Sequence, residues 1–422
     1  MQKSRLEGEV VIPASKSQTI RAVAIASLAE GNSSIRNPLV SSDTEGAVNC
    51  YRALGAKINT SDSQLWKVAG TGGVIKAPRE VIDVGNSGTT LRIAMGSASL
   101  SRRGQSTTLT GDEQIRSRPI GPLMDALDDL GAKCMSLKNN GKAPVEVSGQ
   151  LTGGQTSIAA TTSQYLSSLL LCTPLGTRDS EIDVTLLNEP GYVQMTLDWL
   201  DKQGIKYEKE GLHKFRIKGN QGYKAFNTTI PGDFSSATFL LCAAALCADK
   251  VTLLGLDFSD SQPDKAVVAY LREMGADIRV APTSITVRAA SLKGVEIDMN
   301  RTPDALPAMA VTGALAEGTT KLVNVPQARG KETDRIKCTA EELKKMGVDV
   351  EELPDGLIIT GSKPKPAQLD GRNDHRIVMA LSVAGLAIDG QCTVDTAEAM
   401  SVTFPNYVEL MRSIGANMEM KE

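Results

Sequence analysis

Leu54-Gly55-Ala56 closes a helix-like stretch and opens a β-leaning one. The same passage returns at Leu130-Gly131-Ala132, Gln203-Gly204-Ile205, Met274-Gly275-Ala276, Met346-Gly347-Val348 and Ile414-Gly415-Ala416. The interval is roughly 70 residues, longer than the usual solenoid period, so each copy must be a small α/β unit in its own right. Each glycine reads as a helix C-cap, the position where a left-handed residue commonly ends the helix. A second marker keeps the same period: Ala-rich helical stretches end before Gly31, Gly104, Gly176, Asp249, Gly318 and Gly390, each followed by a β-leaning run.

A polar cluster precedes each Ala-rich stretch: Ser15-Lys16-Ser17, Asn86-Ser87-Gly88-Thr89, Thr162-Ser163-Gln164, Asp233-Phe234-Ser235-Ser236, Pro303-Asp304 and Asn373-Asp374-His375-Arg376. Each is a sufficient N-cap by composition. Caps alone do not call for Lys16, Arg21, Arg92 or Arg376. The free N–H groups and positive dipole end of a helix start favour an anion, and nearby cations strengthen that preference. If the repeats form two domains of three units with these ends facing each other, the cleft would hold a multiply charged anion.

The rest of the composition narrows the class. A chain of 422 residues exceeds one ordinary core, so two or three domains are expected. Lys+Arg 46 against Asp+Glu 49 argues against a nucleic-acid binder and makes any anion site local. The seven cysteines are mostly isolated and give neither a disulfide framework nor a paired metal motif, which reads as a reducing compartment. His213 and His375 are the only histidines, so a histidine-rich metal centre is not expected. Neither a signal peptide nor a membrane-spanning stretch is evident, and a cytoplasmic protein is expected.

Eight ordered motifs then carry a resemblance. Lys16-Ser17 with Arg21, Gly85-Asn86-Ser87-Gly88-Thr89-Thr90 with Arg92, Arg116-Ser117-Arg118-Pro119-Ile120, Ser163-Gln164, Gly232-Asp233, Lys331-Glu332-Thr333-Asp334-Arg335, Asn373-Asp374-His375-Arg376 and Thr403-Phe404-Pro405 lie in one order along the chain. In residues and order the chain resembles the 5-enolpyruvylshikimate-3-phosphate synthases, from about Pro13 to the last repeat. The resemblance implies an α/β fold of two inverse α/β domains, each of three βαβαββ-like units around buried helices. It places the active site in the interdomain cleft, with a hinge that closes on substrate. One domain would comprise residues 1–13 and 230–422, carrying the catalytic and phosphoenolpyruvate residues. The other, residues 14–229, would carry most shikimate-3-phosphate residues.

The implied reaction joins phosphoenolpyruvate to the 5-hydroxyl of shikimate 3-phosphate and needs no cofactor and no metal; the chain is expected to act as a monomer. By resemblance Ser17, Arg21, Thr162, Ser163 and Gln164 bind shikimate 3-phosphate. Lys16, Gly88, Arg118, Arg335 and Arg376 serve phosphoenolpyruvate, with Arg92 close by, and Thr89 is a further substrate-binding residue. Arginine suits the task because its planar fork pairs with carboxylate or phosphate. Asp304 is implied beside the attacked hydroxyl, and Glu332 with Lys331 at the carbon that is protonated. A proton-donating Glu needs a raised pKa, whereas Lys331 and Arg335 would lower it.

Read without the resemblance, Glu332 to Arg335 is an ordinary helix-start charge cluster, and His375 is a structural residue rather than a base. The chain departs from the family pattern at Thr162, where a Ser is common and the hydroxyl is kept, and at three further places. Gln327 stands where a substrate-contacting Asn is common, Glu189-Pro190-Gly191-Tyr192 where a phosphate-binding Ser is usual, and Val402 where some members carry a Lys. A UDP-N-acetylglucosamine enolpyruvyl transferase is disfavoured, because Glu113 to Arg118 contains no Cys and Lys16 is followed by Ser17 rather than Asn.

Overall fold

The structure is a computed structural model that describes residues 1–421. The chain divides into two compact units. The first combines Met1–Ser15 with the chain from Pro231 onward; the second is Lys16–Ile230. The crossings fall slightly later than the boundaries expected from the sequence.

The six polar clusters start six helices: Lys16–Leu28, Gly88–Ala98 and Ser163–Cys172 in the second unit, and Phe234–Cys247, Leu306–Ala314 and His375–Ala387 in the first. The Leu306 helix is preceded by a 3-10 turn, Pro303–Ala305. These helices are buried on nearly every side, as expected of sequences rich in Ala, Leu and Val around the whole circumference. Small residues let them approach closely. A Cβ on Gly96 would lie 2.6 Å from Ser168 Oγ, and that hydroxyl donates across to the Arg92 carbonyl at 2.6 Å.

Around five of the six buried helices runs the same element order: strand, buried helix, strand, outer helix, then a hairpin. Asp83 in Ile82–Asp83 begins one such unit, whose strands pair Ile82–Asp83 with Ser106–Thr110 in parallel. Val145–Ser148 follows antiparallel to Ser106–Thr110, and Lys133–Ser136 closes the edge. Five sheets share this four-stranded plan. Outer helices are amphipathic; Arg335–Lys345 buries Ile336, Ala340 and Leu343 and turns Lys337, Lys344 and Lys345 outward. The six repeat glycines all have positive φ, from +69° at Gly204 to +113° at Gly55, as helix C-caps require.

Two details depart from a simple tandem array. Leu6–Val11 pairs in parallel with Ala248–Leu254, and Asn227–Thr229 with Asn32–Arg36. Each unit's first sheet thus takes its leading strand from far away in sequence. The sixth repeat has only Gln368–Leu369 beside Thr393–Val394, with no closing hairpin among the described residues. There the chain turns after Gly415 to meet its own beginning: Gln2 N donates to the Asn417 carbonyl at 3.0 Å, and Asn417 N donates to Ser4 Oγ at 2.9 Å.

Candidate active site

In the first unit three helix starts converge on one guanidinium. Arg335 opens Arg335–Lys345 and is 1 % exposed. Its Nη1 donates to Asp304 Oδ1 at 2.7 Å, and its Nε and Nη2 reach both oxygens of Asp374 at 2.8 and 3.1 Å. Its Nη2 also donates to Glu332 Oε2. Asp304 is held further by Arg376 Nη2 at 3.2 Å and Lys331 Nζ at 3.8 Å. Asp374 caps its helix by accepting from Arg376 N at 2.9 Å and from Thr333 Oγ1 at 3.0 Å.

Three carboxylates therefore meet three cations, and the charges settle one another. Burial would push the Asp304 carboxyl up, but Arg376, Lys331 and Arg335 together hold it well below the usual carboxylate range. Burial works the same way on Asp374 and is again overcome, chiefly by Arg335. Burial opposes the charge on Arg335, yet Asp374, Glu332 and Asp304 keep it firmly protonated. His375 behaves differently. Burial pushes its imidazole down to about 3 against the pull of Glu332 and Asp374, so the ring is neutral. Its Nε2 has no hydrogen-bond partner among the described residues. Gln327 is anchored outside this cluster, Nε2 donating to the Asn300 carbonyl at 3.0 Å.

In the second unit the helix starts are also brought together. Gln164 Nε2 donates to Thr89 Oγ1 at 3.3 Å, linking the starts of Ser163–Cys172 and Gly88–Ala98. Arg92 reaches back to its own helix start, Nη1 to the Gly88 carbonyl at 3.2 Å. Asn86 Nδ2 donates to Asp112 Oδ2 and Gln114 Oε1, both at 2.6 Å, tying the turn before Gly88–Ala98 to the short helix Glu113–Ser117 that Arg118 ends. A Cβ on Gly88 would lie 2.6 Å from Arg92 Nη1 and 2.9 Å from Arg118 Nη1. The absent side chain is what admits both guanidinium groups.

Other expected residues have partners that sequence did not reveal. Lys16 Nζ lies 2.9 Å from Asp43 Oδ2. Arg21 is 2 % exposed, and its Nε donates to Thr196 Oγ1 at 2.9 Å, its Nη1 to the Ser17 carbonyl at 3.1 Å and its Nη2 to the Tyr192 carbonyl at 2.9 Å. The Ser163 hydroxyl donates to Glu189 Oε2 at 2.7 Å, and Thr162 Oγ1 lies 3.3 Å from the same oxygen. Asp374, Asp43 and Glu189 thus contact expected site residues, although the sequence does not single them out as such. For Asp374 a signal existed, an Asp at the N-cap position directly before a buried His and Arg.

No group of three or more His, Cys, Asp or Glu among the described residues is arranged to hold a metal ion, and no described helix is long and apolar enough to cross a membrane.

A family model described as EPSP synthase (3-phosphoshikimate 1-carboxyvinyltransferase) matches residues 1–411. A 3-phosphoshikimate 1-carboxyvinyltransferase of Acetivibrio thermocellus is 53 % identical over 418 residues, covering 99 % of this chain and 98 % of the relative. One from Methanocaldococcus jannaschii is 44 % identical over 423 residues, with 99 % and 98 % covered. Among solved structures, an EPSP synthase from Acinetobacter baumannii superimposes with a TM-score of 0.83 at 27 % identity, covering 100 % of this chain and 98 % of that one. The enolpyruvyl transferase NikO from Streptomyces tendae shares the fold, with a TM-score of 0.76 at 20 % identity over 99 % and 96 % of the two chains.

Proposed function

This chain belongs to the EPSP synthase family, and we propose from that premise that it transfers the carboxyvinyl group of phosphoenolpyruvate to the 5-hydroxyl of shikimate 3-phosphate, releasing phosphate. The observation that carries the residue assignment is the cluster of Asp304, Glu332 and Asp374 with Lys331, Arg335 and Arg376.

The chemistry sets what those residues must do. The 5-hydroxyl oxygen bonds to C2 of phosphoenolpyruvate as its proton passes to a base, and the methylene carbon takes a proton from an acid. The resulting tetrahedral intermediate then returns one methyl proton and expels phosphate, and the enol ether double bond forms. Asp304, kept as a carboxylate by its three cations, suits the orienting role at the hydroxyl better than that of base, because a carboxyl held this low takes up a proton poorly. Glu332 with Lys331 takes the proton transfer at the methylene carbon.

Lys331, Arg335 and Arg376 meet the charge of phosphoenolpyruvate together with Lys16, Gly88, Arg92 and Arg118. Ser17, Arg21, Thr89, Thr162, Ser163, Gln164 and Gln327 attend shikimate 3-phosphate. For Arg21 that role is one of support, because its guanidinium faces Thr196, Ser17 and Tyr192. In this reading residues 1–13 and 230–422 supply the catalytic groups and residues 14–229 most acceptor contacts, in a cytoplasmic monomer acting on two small molecules.

A coupled assay of phosphate release tests the reading. Release is expected with phosphoenolpyruvate plus shikimate 3-phosphate and absent with UDP-N-acetylglucosamine as acceptor. Asp304→Ala and Glu332→Gln should each lower kcat by about 100-fold or more, the usual contribution of a positioned acid or base. Release with the UDP-sugar alone overturns the acceptor, and unimpaired variants overturn the two roles.

A further inference from the structure

The start of Ser163–Cys172 already holds an anion, and the chain itself provides it. Glu189 Oε2 accepts from Ser163 N at 3.1 Å and from Ser163 Oγ at 2.7 Å, with Thr162 Oγ1 at 3.3 Å. The residue is 2 % exposed, so this carboxylate is buried against a backbone N–H and two hydroxyls. A phosphate or carboxylate of a ligand would be recognised by the same set of donors.

The backbone that delivers Glu189 is unusual. Glu189 has φ 58° and ψ 48°, a left-handed conformation, and it directly precedes Pro190. L-residues with a side chain adopt that region reluctantly, and a following proline pushes its predecessor toward extended geometry. The segment is also fastened on its far side, where Arg21 Nη2 donates to the Tyr192 carbonyl at 2.9 Å. Strained backbone of this kind gathers at ligand clamps and switch segments.

We infer that Glu189 is an internal competitor: its carboxylate occupies the Thr162–Ser163 donors that the anionic end of shikimate 3-phosphate takes, and it must turn away before that substrate seats. The inference rests on the assignment of Thr162 and Ser163 to shikimate 3-phosphate made above. Glu189 thereby sets acceptor affinity without touching the reacting atoms.

Isothermal titration of shikimate 3-phosphate into the full chain reads the effect. Glu189→Gln keeps the shape and one carbonyl acceptor but removes the charge, and it should bind at least tenfold tighter than the unaltered chain. Glu189→Asp, one methylene short of the hydroxyls, should fall between the two, and it serves equally if the Gln variant does not fold. Equal or weaker binding by the variants overturns the inference while phosphate release by the unaltered chain leaves the reaction standing. If Ser163→Ala binds shikimate 3-phosphate as tightly as the unaltered chain, the donors do not belong to the substrate, and both the inference and the assignment beneath it fall. Melting curves separate a competitor from a mere buttress. Saturating shikimate 3-phosphate should raise the Tm of Glu189→Gln by more degrees than that of the unaltered chain, and an equal rise counts against competition.

Discussion

At Gly88 a single hydrogen atom keeps two guanidinium groups in place. The atoms a methyl group would meet, Arg92 Nη1 and Arg118 Nη1, are ends of flexible side chains, so the clash can be relieved by moving them. Gly88→Ala should therefore cost only about 1 kcal/mol of urea stability but raise KM for phosphoenolpyruvate by about tenfold, the equivalent of ~1.4 kcal/mol of lost binding. Steady-state kinetics beside a denaturation curve checks both halves. His375 carries a different signature. Its pKa falls from 6.5 to about 3 on folding, so below pH 6.5 the unfolded chain binds a proton that the folded chain refuses. Stability attributable to this ring is intact above pH 6.5 and declines as pH drops toward 3. Asp304 and Asp374, lowered from 3.8, add their own loss only below about pH 4. Unfolding curves between pH 6.5 and 4.5 should steepen in their pH dependence with His375 present and flatten in His375→Phe.

The elements were easier to read from sequence than the contacts between them. A helix start is a local matter: a cap residue, a few small side chains, an apolar run, and all six starts appear where their polar clusters lie. The glycine ends are equally local. Gly347 shows why: φ is +79° and no atom lies within 4 Å of where a Cβ would stand, so an alanine there would suffer only the backbone preference. Gly347→Ala should cost about 1–2 kcal/mol, and Gly347→Asn less, because Asn tolerates the left-handed region; chemical denaturation would show the order. What local pattern does not encode is partner choice. Arg335 selects Asp374 across 39 positions, Lys16 finds Asp43, and Ser163 finds Glu189, each through packing that no neighbouring residue announces. The final repeat misled for a related reason: its glycine, Gly415, keeps the C-cap φ of +97°, but the hairpin that follows elsewhere is replaced by contacts to the first residues.

At the scale of the molecule the double crossing makes the two units unequal. Lys16–Ile230 contains every strand of its three sheets, including Asn227–Thr229 beside Asn32–Arg36. The first unit depends on Leu6–Val11, which lies before the long excursion, to cover Ala248–Leu254. A fragment of residues 16–230 should unfold cooperatively in urea, whereas residues 231–422 alone should lack a sharp transition until a peptide of residues 1–15 is added. Far-ultraviolet circular dichroism across a urea series checks both, and a sharp unassisted transition in the second fragment would show the leading strand to be dispensable.

The meeting of the chain's ends has a consequence for its genetics. Besides the pairing of Gln2 with Asn417, the terminal amine donates to the Cys392 carbonyl at 2.9 Å, so the first and last segments are stitched into the same corner of the fold. A short bridge between them would close the polypeptide into a ring, and the ring could be reopened at an exposed turn such as the one at Gly72. A circular permutant of that kind would keep every strand partnership while dividing the second unit, Lys16–Ile230, at residue 72 and making the first unit continuous, turning the order of synthesis into an independent variable of folding.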